Sequence, residues 1–273
     1  MIGNKSNEDR GGSKWKKEKK KRVLVTFDID GTLIRTTGPT SNNLHHRAFS
    51  HAFLQVFGIK GNIDVIQHHG STDPAVLVNT LLHYGIPSEA ANEKLSVLKS
   101  KMIEFAKDHA KDIKEGLEVL PGVEPLLQAL SSKDNVFIGL VTGNLEDIAW
   151  MKMKGLGIEE YFSVPHIGGF GSDHIDRGHL VRIAAERAEK LFPGNFDLRV
   201  HVGDTPNDIQ AAESGGALAV GVCTGIFKKE ELEQASIGGA VILPSLAVSQ
   251  EASLNCGQIL CPSIQEYIVE YIV

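Results

Sequence analysis

Short runs rich in Val, Ile and Leu punctuate the chain at 23–27, 136–141, 200–202, 218–222 and 240–243. Runs of this length and composition predict strands buried on both faces of a parallel sheet. Between them the apolar positions change period. Over 44–57, Leu44, Ala48, Phe49, Ala52, Phe53, Val56 and Phe57 fall on one stripe, which predicts an amphipathic helix closed by Gly58. The helical period returns over 74–84 and over 88–111, the latter charged enough to face solvent. Two more helices are predicted: one over 177–191 with Asp176 as its N-cap, and one over 208–214 with Pro206 suited to its first turn. The expected class is α/β, a parallel sheet core with an inserted helical unit, because the stretch from 36 to 117 is too long for an ordinary crossover. Residues 249–273 form an extension in which 264–273 reads as either a small helix or a strand.

Chemistry gathers where the predicted strands end. Val23-Leu24-Val25-Thr26-Phe27 runs into Asp28-Ile29-Asp30-Gly31-Thr32-Leu33. Side chains alternate along a strand, so Asp28 and Asp30 point the same way. Gly31 then allows a sharp turn. Two carboxylates stacked at a strand end are costly without a counter-ion, and a hard divalent cation is the usual remedy. Val200-His201-Val202-Gly203-Asp204-Thr205-Pro206-Asn207-Asp208 has the same design, and Asp204 and Asp208 can face the strand ends as a two-pronged acidic clamp. The run at 136–141 ends in Thr142-Gly143-Asn144, a hydroxyl, a flexible glycine and an amide that can hold an oxyanion together with free backbone N–H groups. In open α/β sheets ligands bind outside the carboxyl ends of the strands. Each piece alone is a common turn or strand-end sequence; three such ends in this order are not.

Asp28-Ile29-Asp30-Gly31-Thr32-Leu33, Thr142 and Gly203-Asp204-Thr205-Pro206-Asn207-Asp208 resemble the first, second and fourth motifs of the haloacid dehalogenase superfamily, over residues 22 to 248. Gly70-Ser71-Thr72-Asp73-Pro74, Leu120-Pro121-Gly122-Val123 and the overall spacing look most like the phosphoglycolate phosphatase-like members. The resemblance implies a Rossmann-like core over 22–35 and 118–248, with a helical cap over 36–117 that shuts over the site, excludes water and chooses the substrate. It also implies phosphoryl transfer, because members that phosphorylate an aspartate keep a second Asp two residues later as general acid, here Asp30. Asp28 is then the nucleophile. Mg²⁺ is expected on the carboxylates of Asp28 and Asp204, the backbone carbonyl of Asp30 and waters ordered partly by Asp208. Thr142, the backbone around Gly143 and Asn144, and a cation are expected to hold the phosphate oxygens. The third motif departs from the common pattern, since no Lys occurs between Lys154 and Lys190. Arg177, at the start of its helix, is preferred to Arg182 as the replacement. The other reading pairs Arg177 with Asp173 or Asp176 at the surface. A sugar phosphate mutase would use the same carboxylates, and a non-enzymatic binding protein would commonly have lost them.

The 273 residues, 42% of them hydrophobic, can bury one large or two smaller domains, and no apolar run approaches the length needed to span a bilayer. Cys223, Cys256 and Cys261 lack metal-site spacing and suggest reduced thiols, so a cytoplasmic setting is expected. Residues 1–22 carry a net charge of +6 and leave −12 for the rest. Residues 1–21 read as a disordered basic tail. Lys16–Arg22 is read as a solvated leader, with nuclear entry or an anionic surface as the alternative. An acidic body argues against nucleic acid as the main substrate and is compatible with a small phosphorylated metabolite; the chain is expected to be a monomer or a homodimer. His45, His46, His68 and His69 form two His-His pairs. Adjacent histidines point to different faces of a helix, and no Cys or further ligand has suitable spacing, so surface or packing roles are expected, with His45 or His46 near the cap entrance. Thr72 and Asp73 are read as capping the next helix, and His174 as lying near the site without a required role.

Overall fold

In the computed structural model, residues 20–38 and 43–247 are described. The basic leader up to residue 19 and the extension from 248 lie outside them. The chain begins with β1 (Val23–Phe27) and β2 (Ile34–Thr36), then enters a helical stretch of α1 (Asn43–Phe57), α2 (Asp73–His83), α3 (Ser88–Glu93) and α4 (Leu95–Asp108). It returns through β3 (Leu117–Val119), α5 (Val123–Ser131), β4 (Val136–Thr142), α6 (Glu146–Gly155), β5 (Gly168–Phe170), α7 (Arg177–Leu191), β6 (Leu198–Gly203), α8 (Pro206–Gly215), β7 (Leu218–Val222), α9 (Lys229–Ala235) and β8 (Val241–Leu243).

Six strands form one sheet in the order β5-β4-β1-β6-β7-β8, with every pairing parallel. β1 lies between β4 and β6, with Phe27 opposite Leu140 on one side and Val202 on the other. The three strands whose ends carry the motifs are therefore neighbours, which brings Asp28, Thr142 and Asp204 to one edge. Every residue of β1 is buried, as its unbroken apolar run requires. Helices cover both faces, and Val25, Phe27, Leu126, Leu130, Ile138 and Val200 belong to one large apolar cluster.

The helical stretch closes on its own apolar cluster, with Phe49 and Phe53 of α1, Leu77 and Leu81 of α2, and Leu98 and Met102 of α4. That cluster extends to Leu145 and Ile148, so α6 packs into both bodies. At the junction β2 and β3 pair antiparallel, Ile34 against Val119 and Thr36 against Leu117, a two-stranded link that the sequence reading left out.

Most boundaries match to within a residue or two. The helix read over 88–111 differs: it breaks at Lys94 into α3 and α4 and ends in a 3-10 turn at Ala110–Asp112. It is also less solvent-facing than its charge suggests, since Leu98, Met102 and Ala106 are buried. The helix read over 208–214 starts earlier, at Pro206, with Thr205 as its N-cap.

Candidate active site

β1 delivers Asp28 to the sheet edge, where its N–H donates to Val202 O at 2.9 Å. Gly31, at φ +90°, turns the chain back, and a Cβ there would collide with the Asp204 carboxylate. This glycine is needed both for its backbone angle and for the space it leaves. Thr32 Oγ1 donates to Asp204 Oδ1 at 2.9 Å and fixes that side chain. Asp208 completes a capping box: its Oδ2 accepts from Thr205 N at 3.0 Å and Thr205 Oγ1 at 2.6 Å while Thr205 caps α8. One carboxylate oxygen from each of Asp28, Asp204 and Asp208 lies within 4.8 Å of the others, and all three residues are buried.

Arg177 reaches this cluster from the first position of α7, whose N-cap Asp176 accepts from Gly178 N at 2.8 Å. Its Nη1 pairs with Asp208 and its Nη2 lies 3.3 Å from Asp28 Oδ1. Arg182, a turn along, sits at the exposed side of the α7–α8 contact, with Nη1 at 3.4 Å from Ser214 O. The structure thus brings Arg177 to the acidic cluster and leaves Arg182 outside it. Among the described residues, Arg177 Nε is buried without an acceptor, although its charge is otherwise matched. A buried donor in that state is costly until an oxygen meets it.

The electrostatics follow from burial. Desolvation pushes Asp28 up to about 6, with Arg177 pulling it back and Asp208 and Asp30 adding to the rise. Desolvation, Asp208 and Asp28 raise Asp204 well above the ordinary value. Asp208 is held low: burial opposes ionisation, but Arg177, His201 and Thr205 more than offset it. With all three carboxylates ionised, the single guanidinium leaves two negative charges uncompensated, the charge of one divalent cation. Hard carboxylate oxygens at this spacing fit Mg²⁺.

Asp30 has a different environment. Lys152 Nζ donates to its two carboxylate oxygens at 2.9 and 2.7 Å, and Asn144 Nδ2 donates to Oδ2 at 2.9 Å. Burial works against ionisation, yet the Lys152 ammonium and these hydrogen bonds bring Asp30 below its ordinary value. Lys152 has 0% exposure and also donates to Asn144 Oδ1 at 2.7 Å. Its Nζ lies 3.4 Å from His45 Nδ1, and His45 Nε2 lies 3.0 Å from Asp73 Oδ2. An ammonium only donates and a carboxylate only accepts, which fits a neutral imidazole with its hydrogen on Nε2.

Sequence reasoning missed Lys152. A signal existed: Ile148, Ala149, Lys152 and Met153 form the buried stripe of α6, continued by the N-cap Leu145, and a lysine on such a stripe needs a buried anion. His201 was also passed over. It is a buried polar residue of β6, with Nδ1 at 3.2 Å from Thr26 Oγ1 and Nε2 at 3.4 Å from Asp208 Oδ1.

Other expectations are redirected. The Asn144 side chain is engaged by Asp30, Lys152 and Thr142 rather than aimed at an oxyanion, because the buried ammonium takes its carbonyl oxygen. Thr142 Oγ1 accepts from Asn144 N at 3.3 Å and Asn144 Nδ2 at 3.2 Å, which shapes the turn. At Gly143 a Cβ would meet Thr72 Cα at 2.9 Å, so glycine here admits the helical insertion against the β4 turn. Neither Thr72 nor Asp73 caps α2 with its side chain: Thr72 Oγ1 donates to Ile175 O at 3.3 Å and Asp73 Oδ2 accepts from Leu145 N at 2.9 Å. His174 stacks on His179 at 4.1 Å and accepts from Asp176 N, steadying the start of α7.

Asp28, Asp30, Asn144, Arg177 and Asp204 line one cavity of about 460 Å³, whose opposite wall is the helical insertion at His45, His46, Asp64 and His68. No helix among the described residues is long and apolar enough to cross a membrane.

The sequence profile of the haloacid dehalogenase-like hydrolases matches residues 23–216. The phosphoglycolate phosphatase of Yersinia pestis is 28% identical over 209 residues, covering 74% of this chain and 81% of the relative. That of Escherichia coli O157:H7 is 29% identical over 221 residues, covering 77% and 84%. Among solved structures, a hydrolase from Pseudomonas syringae aligns with a TM-score of 0.52 at 24% identity, covering 82% of this chain and 92% of that one. CbbY from Rhodobacter sphaeroides, in complex with phosphate, aligns with a TM-score of 0.54 at 17% identity, covering 84% and 96%. These two share the fold.

Proposed function

The chain belongs to the haloacid dehalogenase-like hydrolases and is a phosphatase of that family, and from that premise we propose that it hydrolyses a small phosphate monoester through an aspartyl-phosphate on Asp28. One observation supports this above the others: a buried carboxylate beside a guanidinium, and a second carboxylate held by its own cation, face the same 460 Å³ cavity at the end of β1.

Asp28 attacks phosphorus in line as the bond to the leaving oxygen breaks. Arg177 holds non-bridging oxygens through its fork, and its Nε–H, buried without an acceptor among the described residues, gains one when a phosphate enters. Thr142 and Gly143 border the same end of the sheet and contribute hydroxyl and backbone contacts. Asp30 delivers a proton to the leaving oxygen, then takes one from the water that cleaves the intermediate. Lys152 favours its ionised form in the free enzyme. A phosphate dianion beside Asp30 raises its proton affinity, so Asp30 takes up a proton from solvent as the substrate binds. Asp28, Asp204 and Asp208, with the backbone carbonyl of Asp30, would hold Mg²⁺, which when bound offsets negative charge on the phosphoryl group.

In this reading residues 36–117 act as a cap over the core formed by 22–35 and 118–248, and closure excludes water. Phosphoglycolate, the ester named in the curated relatives, is the first substrate to try. The test is phosphate release from a panel of small esters, each with Mg²⁺ and with a chelator. Steady Mg²⁺-dependent release from any of them is expected. Conversion of one sugar phosphate isomer into another without release would make the chain a mutase. Inertness toward the whole panel would favour a binding role.

A further inference from the structure

A second group of metal-ligating side chains lies across the cavity from the acidic cluster. His46 comes from α1, Asp64 from the 3-10 turn Ile63–Val65, and His68 from the loop that follows. One ligand atom of each lies within 4.8 Å of the other two. The sequence reading discounted the histidine pairs because neighbours point apart. The fold instead takes one member of each pair and adds a carboxylate from between them.

His46 Nδ1 lies 3.7 Å from Asp64 Oδ1, too far for a hydrogen bond, so these two do not satisfy each other. The His46 and His68 rings are 6.1 Å apart and nearly perpendicular, at 81°. His68 Nδ1 lies 3.2 Å from Ile66 O; a carbonyl can only accept, so Nδ1 carries the hydrogen and the lone pair of the neutral ring is on Nε2. A ring nitrogen fixed by a backbone carbonyl is the usual support of a metal-bound histidine. Asp64 is supported in the same way: its Oδ2 accepts from Asn62 Nδ2 at 2.9 Å.

We propose that His46, Asp64 and His68 form a binding site for a transition-metal dication of the Zn²⁺ class, separate from the acidic cluster and open to the cavity it shares with Asp28. Two imidazoles and a carboxylate suit Zn²⁺ and leave a fourth position vacant, whereas Mg²⁺ and Ca²⁺ take oxygen ligands. His46, Asp64 and His68 all line the cavity, so the anionic end of a substrate there can fill that position.

The experiment is equilibrium dialysis of the purified full chain against Zn²⁺ under a large excess of Mg²⁺, which occupies the acidic cluster. The visible spectrum of bound Co²⁺ serves as a second readout, because imidazole coordination changes its bands. Native protein is expected to take up one Zn²⁺ per chain. His46→Ala and His68→Ala should each weaken uptake by at least about tenfold, the lower bound for disturbing even an outer-shell partner. Asp204→Asn, which alters the other cluster, should retain it. Melting curves establish that the variants are folded; if either histidine variant is not, Asp64→Asn at an exposed position gives the same readout. No uptake by the native chain overturns the proposal, as does uptake that vanishes with Asp204→Asn and survives both histidine changes. None of these readings depends on phosphatase activity.

Discussion

Asp28 is under tension between its chemistry and its burial. Desolvation lifts its proton affinity from an ordinary 3.8 to about 6, so the folded state without metal holds a proton that the unfolded chain releases. The sign follows: metal-free stability falls as pH rises from about 4 to about 6 and stays lowered above that, by on the order of 3 kcal/mol from this group. Asp28→Asn should abolish turnover, because an amide cannot attack phosphorus. It should also raise the melting temperature of the metal-free protein near pH 7.5, with the gain shrinking toward about pH 4. Melts at the two pH values and phosphate-release assays check both halves, and appreciable residual turnover would sink the covalent route. Arg177 is the second decisive residue. Arg177→Ala should raise KM and lower kcat together, Arg177→Lys should recover part of both as a point charge without the fork, and Arg182→Ala should leave kinetics near native. Kinetics for the three variants decide it; a large defect only in Arg182→Ala would move the role there. Asp28, Asp30, Asp204 and Arg177 were legible because strand ends and a helix start expose them as motif and cap. Lys152 and His201 were not, because each sits inside an apolar pattern and gains its meaning from a partner far along the chain.

At the scale of elements, α6 joins the two bodies and carries Lys152 between them. Its N-cap Leu145 and its Ile148 enter the apolar cluster of the helical insertion, while Ala149 and Met153 pack on the sheet side. The lysine is buried and Asp30 is 36% exposed. Removing the cation should therefore destabilise by about 2–3 kcal/mol, below the 3–5 typical of a wholly buried pair. Lys152→Met keeps the length of the stem and isolates the charge. It should lose that stability in a denaturant titration, and it should slow poor leaving groups more than good ones, as Asp30→Asn should by on the order of 10²–10⁴-fold. Equal slowing of both leaving groups would reduce Lys152 to a packing role. The helices α1, α2 and α7 were readable because their periods are set locally. The three-residue strands β2, β3 and β5 were not, because pairing rather than local pattern makes them strands. The break at Lys94 was hidden too, since the helical period continues across it.

For the whole molecule, the question is how the insertion and the sheet are held in register around the cavity. Asp73, at the start of α2, does this with buried bonds. Its N–H donates to Gly143 O at 2.8 Å, and its Oδ2 accepts from Leu145 N at 2.9 Å and from His45 at 3.0 Å. His45 in turn meets Lys152, so a continuous polar chain runs from the insertion to Asp30. Asp73→Ala strands the Leu145 amide and removes the acceptor at His45 Nε2, at a cost of about 1–3 kcal/mol. If the insertion positions the substrate, the same change should lower kcat/KM by on the order of 10–100-fold through loss of alignment. Asp73→Asn keeps an acceptor for the Leu145 amide and should recover most of the stability and part of the rate. Hydrogen exchange at Leu145 measures the joint directly and should quicken in Asp73→Ala and less in Asp73→Asn. Faster exchange with native kcat/KM would mean that Asp73 only fastens the two bodies, and that alignment of the substrate is carried by the sheet edge alone.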